Sequence, residues 1–367
     1  MNGKTILVTG ASGLIGVEVA AGLLAAGYRV LATVHRQSSL VSNSGATLRT
    51  REWHDRSAGA DTVLTLRADV SKPRLGLDSA SYERLQKETD LVVHVAAVTE
   101  FGLPKEAYEQ VNLRGTANVL QLTRGSAGRW IPLIHVSTAY VCGDRSGEIL
   151  EDELECGQRF SNDYERTKCE AERLVRAAQA DGQPAIIMRP SIVVGEQRRG
   201  VIRDFKNIYV VLRLAIGGRV KAVPGLYSAL LDLVPLDEVR DLILATVGRF
   251  SDYQGTTLHA VGASPLSLRE FSDVLAEYPS FRVPRIIPPA SFTSAARGGP
   301  ASRLMDLYEP YFSRTMVFRD NRRRELLPPR SAVTGKKLLR LLLDYALEVG
   351  YLTPRPLAVR TQSAARD

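Results

Sequence analysis

Tyr164 and Lys168 stand four positions apart in the run YERTK. On a helix, residues i and i+4 share one face, so a phenol and an ammonium would sit together. Free tyrosine has a pKa of about 10 and is a poor base at neutral pH. A nearby ammonium favours its phenolate and brings the group into acid/base range. The same lysine can hold ribose hydroxyls. Such a pair suits proton transfer at a carbonyl or alcohol oxygen, and a third group must bind that oxygen. Ser137 and Thr138, in VSTAYVCG, lie about one element upstream. Thr138 is the expected carbonyl binder with Ser137 beside it; local turn bonding is the alternative for both.

A second constellation lies at the start of the chain. Gly10, Gly13 and Gly16 form GxxGxxG between the β-rich run KTILVT and an alanine/leucine helix expected over about 15–26. Glycines at this spacing serve a tight turn, backbone approach to a pyrophosphate, and close helix–strand packing. The helix start then offers free N–H groups and a positive dipole end to phosphate. Ser12, Leu14 and Ile15 complete the expected contact surface. About 20 residues on, a carboxylate would bind a ribose 2′-hydroxyl. This chain has His35 and Arg36 there. A guanidinium suits a 2′-phosphate, so NADP(H) is the expected cofactor, an ordinary surface arginine being the alternative. Asp69 and Val70 end the third strand at the height of an adenine. Ala96, Ala97 and Val98 follow the fourth, where small side chains allow close backbone approach. Pro190, Ile192 and Val193 follow the sixth and are expected to close over a nicotinamide.

These residues need a scaffold, and the pattern supplies one. YRVLATVHR, DTVLTLRADV, TDLVVHVAAV, WIPLIHVSTAYV and PAIIMRPSIVVG read as strands. Helical runs such as SASYERLQKE and SNDYERTKCEAERLVRAAQA lie between them. Alternation of this kind predicts βαβ units and a parallel sheet, and the continuous apolar strands suit a sheet covered on both faces. The expected fold is α/β: a Rossmann-type doubly wound parallel sheet with a smaller, mostly helical C-terminal substrate-binding region. Residues 1–195 form the cofactor domain, with a return segment at about 228–262. Residues 196–227 and 263–354 form the substrate region, and 355–367 a flexible tail. Asn112, mid-helix in VNLRGT, is read as a buried bonding residue, a solvent-facing one being the alternative.

Composition excludes several classes. The three cysteines lack CxxC spacing and the five histidines lack metal-ligand spacing, so neither disulfide framework nor metal is expected. No signal-peptide pattern or membrane-length apolar run appears, and a cytoplasmic protein is expected. The net charge of +8 is concentrated in residues 281–367, with 16 Lys/Arg against 7 Asp/Glu. Such a segment can steer anionic ligands or be a plain solvated surface. No nucleic-acid motif accompanies it.

Taken together, TGASGLIG, AD at 68–69, HVAA at 94–97, VNLRGT, HVST, YERTK and RPS at 189–191 resemble the extended short-chain dehydrogenase/reductase family over roughly residues 4–260. DVSKPRLGL, HVAAVTEF and RPSIVVGE look like its thioester reductase and fatty acyl-CoA reductase branch. LYEPYF and LLDYALEVGYL are similar to the C-terminal part of acyl reductases. The resemblance implies NADPH-dependent reduction of an acyl thioester, aldehyde or ketone. Coenzyme A or an acyl carrier protein would deliver a thioester in trans. An NAD-dependent nucleotide-sugar epimerase or dehydratase, and a non-catalytic cofactor binder, are the competing readings.

Overall fold

The computed structural model describes residues 3–35, 39–55, 59–125, 128–218, 220–292, 306–329 and 335–353. Arg36 and the tail at 355–367 lie outside the described residues. Eight strands form the main sheet: β1 (Thr5–Thr9), β2 (Arg29–Val34), β3 (Thr50–Glu52), β4 (Val63–Arg67), β5 (Leu91–His94), β6 (Leu133–Val136), β7 (Ala185–Pro190) and β8 (Thr257–Ala260). Their order is β8-β7-β6-β5-β1-β2-β4-β3, and every pairing is parallel. The chain reverses direction of travel between β1 and β5, the switch point where such sheets bind ligands. The expected parallel sheet is therefore observed, with β3 as an additional edge strand.

Alternation along the strands builds two cores. Ile6 and Val8 of β1 join Val30, Ala32 and Val34 of β2 on one face, beneath α1 (Leu14–Ala25). Leu7 and Leu31 point to the other face, towards α2 (Ser79–Glu88), Val119 and Leu122 of α3 (Gly115–Thr123), and Val175 of α4 (Asp163–Ala180). Each fully buried side chain of this size contributes about 1.5–3 kcal/mol. Two further helices follow: α5 (Ile208–Ile216) and α6 (Leu236–Gly248). Val239, Leu242, Ile243 and Val247 of α6 enter the α1 core, and β8 extends the sheet past β7.

A third apolar cluster stands apart. It gathers Tyr209 and Leu212 of α5, Phe271 and Val274 of α7 (Leu268–Ala276), and Leu338, Leu339 and Leu342 of α8 (Lys336–Glu348). Helix α5 begins at Ile208. Asn207, just before it, has φ +51°, a conformation costly for a side-chain-bearing residue. Among the described residues no helix is long and apolar enough to cross a membrane.

Candidate active site

A cleft of about 890 Å³ runs along the carboxyl ends of the strands, from the glycine loop to the C-terminal segment. The glycine loop forms its floor at one end. Gly10 has φ +69°, and a Cβ there would lie 2.7 Å from the Ala96 backbone. Glycine at this point is dictated by the approach of β1 to the β5 loop. A Cβ on Gly16 would lie 2.2 Å from the Gly10 carbonyl oxygen, so Gly16 lets α1 close onto the loop from behind. Gly16 does not line the cleft, whereas Gly10, Ser12, Gly13, Leu14 and Ile15 do. Helix α1 has no side-chain cap and no acidic residue in its first turn, so its first amides are left for an anion.

At the far end of this half, His35, Asp69 and Val70 line the cleft. His35 Nε2 lies 3.5 Å from Asp69 Oδ2. Burial pushes the Asp69 carboxyl up, but hydrogen bonds from the Ser71 amide (2.9 Å) and hydroxyl (2.7 Å), with His35 nearby, hold it below its ordinary value. Ala96, Ala97 and Val98 form the next stretch of wall. Asn112 fixes them. It is buried in a π-helical turn, Glu109–Arg114. Its Oδ1 accepts from Val98 N at 2.8 Å. Its Nδ2 donates to Val98 O at 3.1 Å and to Thr167 Oγ1 at 3.3 Å. The buried bonding role expected of Asn112 is the one observed.

Thr138, Tyr164 and Lys168 converge at the centre. Asn162, two residues before Tyr164, caps α4 by accepting from the Glu165 amide at 2.9 Å. Tyr164 and Thr138 line the same part of the cleft, and the Thr138 hydroxyl donates to the Pro190 carbonyl at 3.3 Å and accepts from the Tyr140 amide at 3.3 Å, the local turn bonding named as its alternative. Burial pushes the Tyr164 phenol up to about 12 against the downward pull of the Thr138 hydroxyl. One turn on, Lys168 is buried, and burial lowers its pKa to about 8 while Glu172 draws it upward. Its Nζ donates to the carbonyl of Val136 at 2.7 Å. The protein by itself thus keeps Tyr164 protonated, rather than yielding the lysine-favoured phenolate expected from spacing. Ser137 is buried in the cleft wall, and its Oγ makes no hydrogen bond among the described residues. Pro190, Ile192 and Val193 close the opposite side. A glycine cradle, an orphan hydroxyl and a buried lysine fit a dinucleotide lying across the switch point.

Two buried ion pairs hold α4. Glu172 accepts from Arg189 Nη2 at 2.6 Å and Nε at 3.1 Å. Glu165 accepts from Arg314 Nη1 at 2.7 Å. The arginine of RPS therefore serves the helix rather than a ligand. His94 and His135 are buried strand residues whose burial lowers their pKa values. Among the described residues no group of side chains could hold a metal ion.

Sequence reasoning missed the substrate-side wall. Phe101, Tyr140, Tyr308, Tyr311 and Phe312 line the cleft beyond Tyr164. The Phe101 ring lies 6.0 Å from Tyr164, 5.3 Å from Tyr308 and 5.8 Å from Tyr311. Arg203 was missed as well: its Nη2 donates to the Ser12 carbonyl at 3.2 Å, tying the segment after β7 to the glycine loop.

Comparison with known proteins fits this geometry. Residues 8–243 match the family described as male sterility protein. The chain is 28% identical over 279 residues to an isonitrile lipopeptide synthase of Streptomyces coeruleorubidus. That match covers 74% of this chain and 18% of the synthase, so the chain spans about a fifth of that relative. It is 24% identical over 356 residues to a probable fatty acyl-CoA reductase 5 of Arabidopsis thaliana, covering 76% of this chain and 71% of the relative. Among solved structures, the terminal R domain from the myxalamid PKS-NRPS biosynthetic pathway superimposes with TM-score 0.79 at 26% identity, covering 96% of this chain and 93% of that domain. The chain belongs to the male sterility protein family, within the extended short-chain dehydrogenases/reductases.

Proposed function

We propose that this chain is an NADPH-dependent reductase of a carbonyl carried as an acyl thioester or aldehyde. The observation that carries the reading is the meeting of Thr138, Tyr164 and Lys168 at one point of the cleft. Thr138 holds the carbonyl oxygen. Tyr164, kept protonated by its burial, donates the proton as that oxygen gains charge. Lys168 would hold the ribose hydroxyls of the bound cofactor and supplies positive charge in the same part of the cleft. Ser137 offers its free hydroxyl to the ligand in the cleft. The bound nicotinamide supplies the hydride. The cofactor-binding residues are those of the glycine loop and the ends of β2, β4, β5 and β7, with NADP favoured because no carboxylate ends β2 and His35 and Lys72 line that end of the cleft.

Residues 1–195 with 228–262 form the cofactor unit in this reading, and 196–227 with 263–354 the substrate unit. The aromatic wall suits an apolar acyl group. The thioester branch draws support from the likeness to the R domain and the acyl-CoA reductase, with coenzyme A or a carrier protein as the delivering partner. The test is oxidation of NADPH and of NADH with a panel of acyl-CoA thioesters, aldehydes and cyclic ketones. NADPH-dependent turnover of a thioester or aldehyde is expected. Tightly retained NAD with no carbonyl turnover would overturn the reading in favour of an epimerase-type activity.

A further inference from the structure

We infer that Arg314 is a positioning residue for the Tyr164 proton donor, acting through Glu165, and that it locks the Tyr308–Tyr311 wall against the substrate. The inference rests on the reductase reading above and concerns residues beyond the matched family region, which ends at 243.

Glu165 directly follows Tyr164 and is fully buried. Its Oε1 and Oε2 accept from Arg314 Nη1 at 2.7 Å and Nη2 at 3.2 Å. The Ser161 amide donates to Oε2 at 3.0 Å, and Arg314 Nη2 donates to the Ser161 hydroxyl at 2.6 Å. The guanidinium stacks 4.5 Å from the Tyr311 ring centre. The Tyr311 hydroxyl in turn accepts from Asn162, the α4 cap, at 3.0 Å. From the other side, the amides of Leu226 and Leu230 bind the carbonyls of Phe312 and Arg314 at 2.8 Å. One guanidinium thus joins the start of the Tyr164 helix to the wall segment.

Stability alone does not account for such a pair. Burying two charges costs several kcal/mol of hydration, and apolar replacements of buried pairs are often neutral or stabilising. What the pair provides is orientation and charge balance beside the donor. An uncompensated Glu165 carboxylate would oppose any negative charge developing on Tyr164. The other charges near the phenol are fixed. On α4, Asp163 is paired with Arg166 at 2.8 Å and Lys168 is held by Val136. Around the Glu165–Arg314 pair stand the phenols of Tyr140 and Tyr311 and the Cys142 thiol, and Tyr308 stands near Glu100, all four pushed up by burial. Asp232, hydrogen-bonded by Ser191, stands behind Tyr140.

The experiment measures kcat and KM against pH for wild type, Arg314→Gln, Glu165→Gln and the double variant. With the Glu165 charge unbalanced, Arg314→Gln is expected to lose about tenfold or more in kcat, with the KM for NADPH unchanged within about twofold. Its alkaline limb, where the donor loses its proton, moves to higher pH. The double variant restores the limb and most of kcat. Glu165→Gln, which remains readable if Arg314→Gln does not fold, moves the limb to lower pH. Unmoved limbs, or a double variant as slow as Arg314→Gln, would overturn the proposal. Amide exchange supplies an arm independent of turnover: Arg314→Gln raises exchange in 306–318 and 161–168 together, and no change there overturns the tether. A wild type that reduces no carbonyl would sink the reductase reading while leaving the exchange result standing.

Discussion

Lys168 Nζ donates to the carbonyl of Val136 at 2.7 Å, at the end of the strand that presents Ser137 and Thr138. A buried ammonium tied to the strand that leads into Ser137 and Thr138 is a costly arrangement. Burial lowers its pKa from 10.5 to about 8. The unfolded chain therefore binds this proton more tightly, and the penalty is complete below about pH 8 and fades as pH rises towards 10.5. Lys168→Met removes the penalty and forfeits one hydrogen bond. It is expected to abolish turnover and to stabilise the fold by about 1–2 kcal/mol at pH 7. Urea unfolding at pH 7 and pH 10 checks the sign, because the gain must shrink at the higher pH.

Tyr164→Phe keeps the ring against Phe101 and removes only the hydroxyl that meets Thr138. NADPH binding should stay within a few fold, and turnover should fall by about 10²–10⁴. Fluorescence titration with NADPH and a single-turnover assay separate the two. Turnover at the wild-type rate would remove Tyr164 as the donor.

The parts of this architecture that are local in sequence were legible. The glycine loop, the YxxxK pair and Thr138 each occupy one strand–turn–helix unit, and period-two and helical patterning place them. Asn112 was legible as a mid-helix misfit, although its partner Val98 was not. The wall was not legible, for a physical reason. Tyr308, Tyr311 and Arg314 meet Phe101, Asn162 and Glu165 only through tertiary contact across some 150–200 residues. Nothing in LYEPYFSRT separates Arg314 from the other arginines of a basic segment. The edge strand β3 was equally silent, at three residues too short to show a pattern.

Coenzyme choice turns on the end of β2. His35 there pairs with Asp69 and no carboxylate follows within the loop start. By its sequence position after β2, Arg36→Asp would supply the carboxylate that binds a ribose 2′-hydroxyl in NAD-type sites and would repel a 2′-phosphate. The ratio of kcat/KM for NADPH over NADH is expected to fall by about tenfold or more. An unchanged ratio would remove Arg36 from the site.

The second α4 ion pair gives a sharper stability test. Arg189 and Glu172 are both essentially unexposed, and Arg189 also donates to the carbonyls of Glu151 (3.3 Å) and Glu153 (2.7 Å). Arg189→Leu takes the bidentate partner from a buried carboxylate, leaving it only Arg176 Nη2 at 3.3 Å, and should cost about 3 kcal/mol. Adding Glu172→Leu removes that charge and should recover a large part of the loss, which calorimetric melting of both variants would register.

Acid stability should be governed by buried histidines. Burial lowers His94 and His259 to about 3 and His135 well below its ordinary value. All three stay neutral in the fold, while the unfolded chain takes up protons below about pH 6.5. Stability is therefore lost as pH falls through that point, by about 1.4 kcal/mol per histidine at pH 5.5. His135 is the informative one, because neither ring nitrogen has a hydrogen-bond partner among the described residues. His94, by contrast, is bonded to Thr9 at 2.7 Å and to Thr116 at 3.3 Å. Replacing His135 with Leu loses no hydrogen bond and removes two desolvated polar atoms. At pH 7.5 the variant should match or exceed wild type. At pH 5.5 its relative stability should improve by about a further 1 kcal/mol. Urea unfolding at the two pH values measures the difference, and an unchanged difference would mean that His135 is not neutralised by the fold.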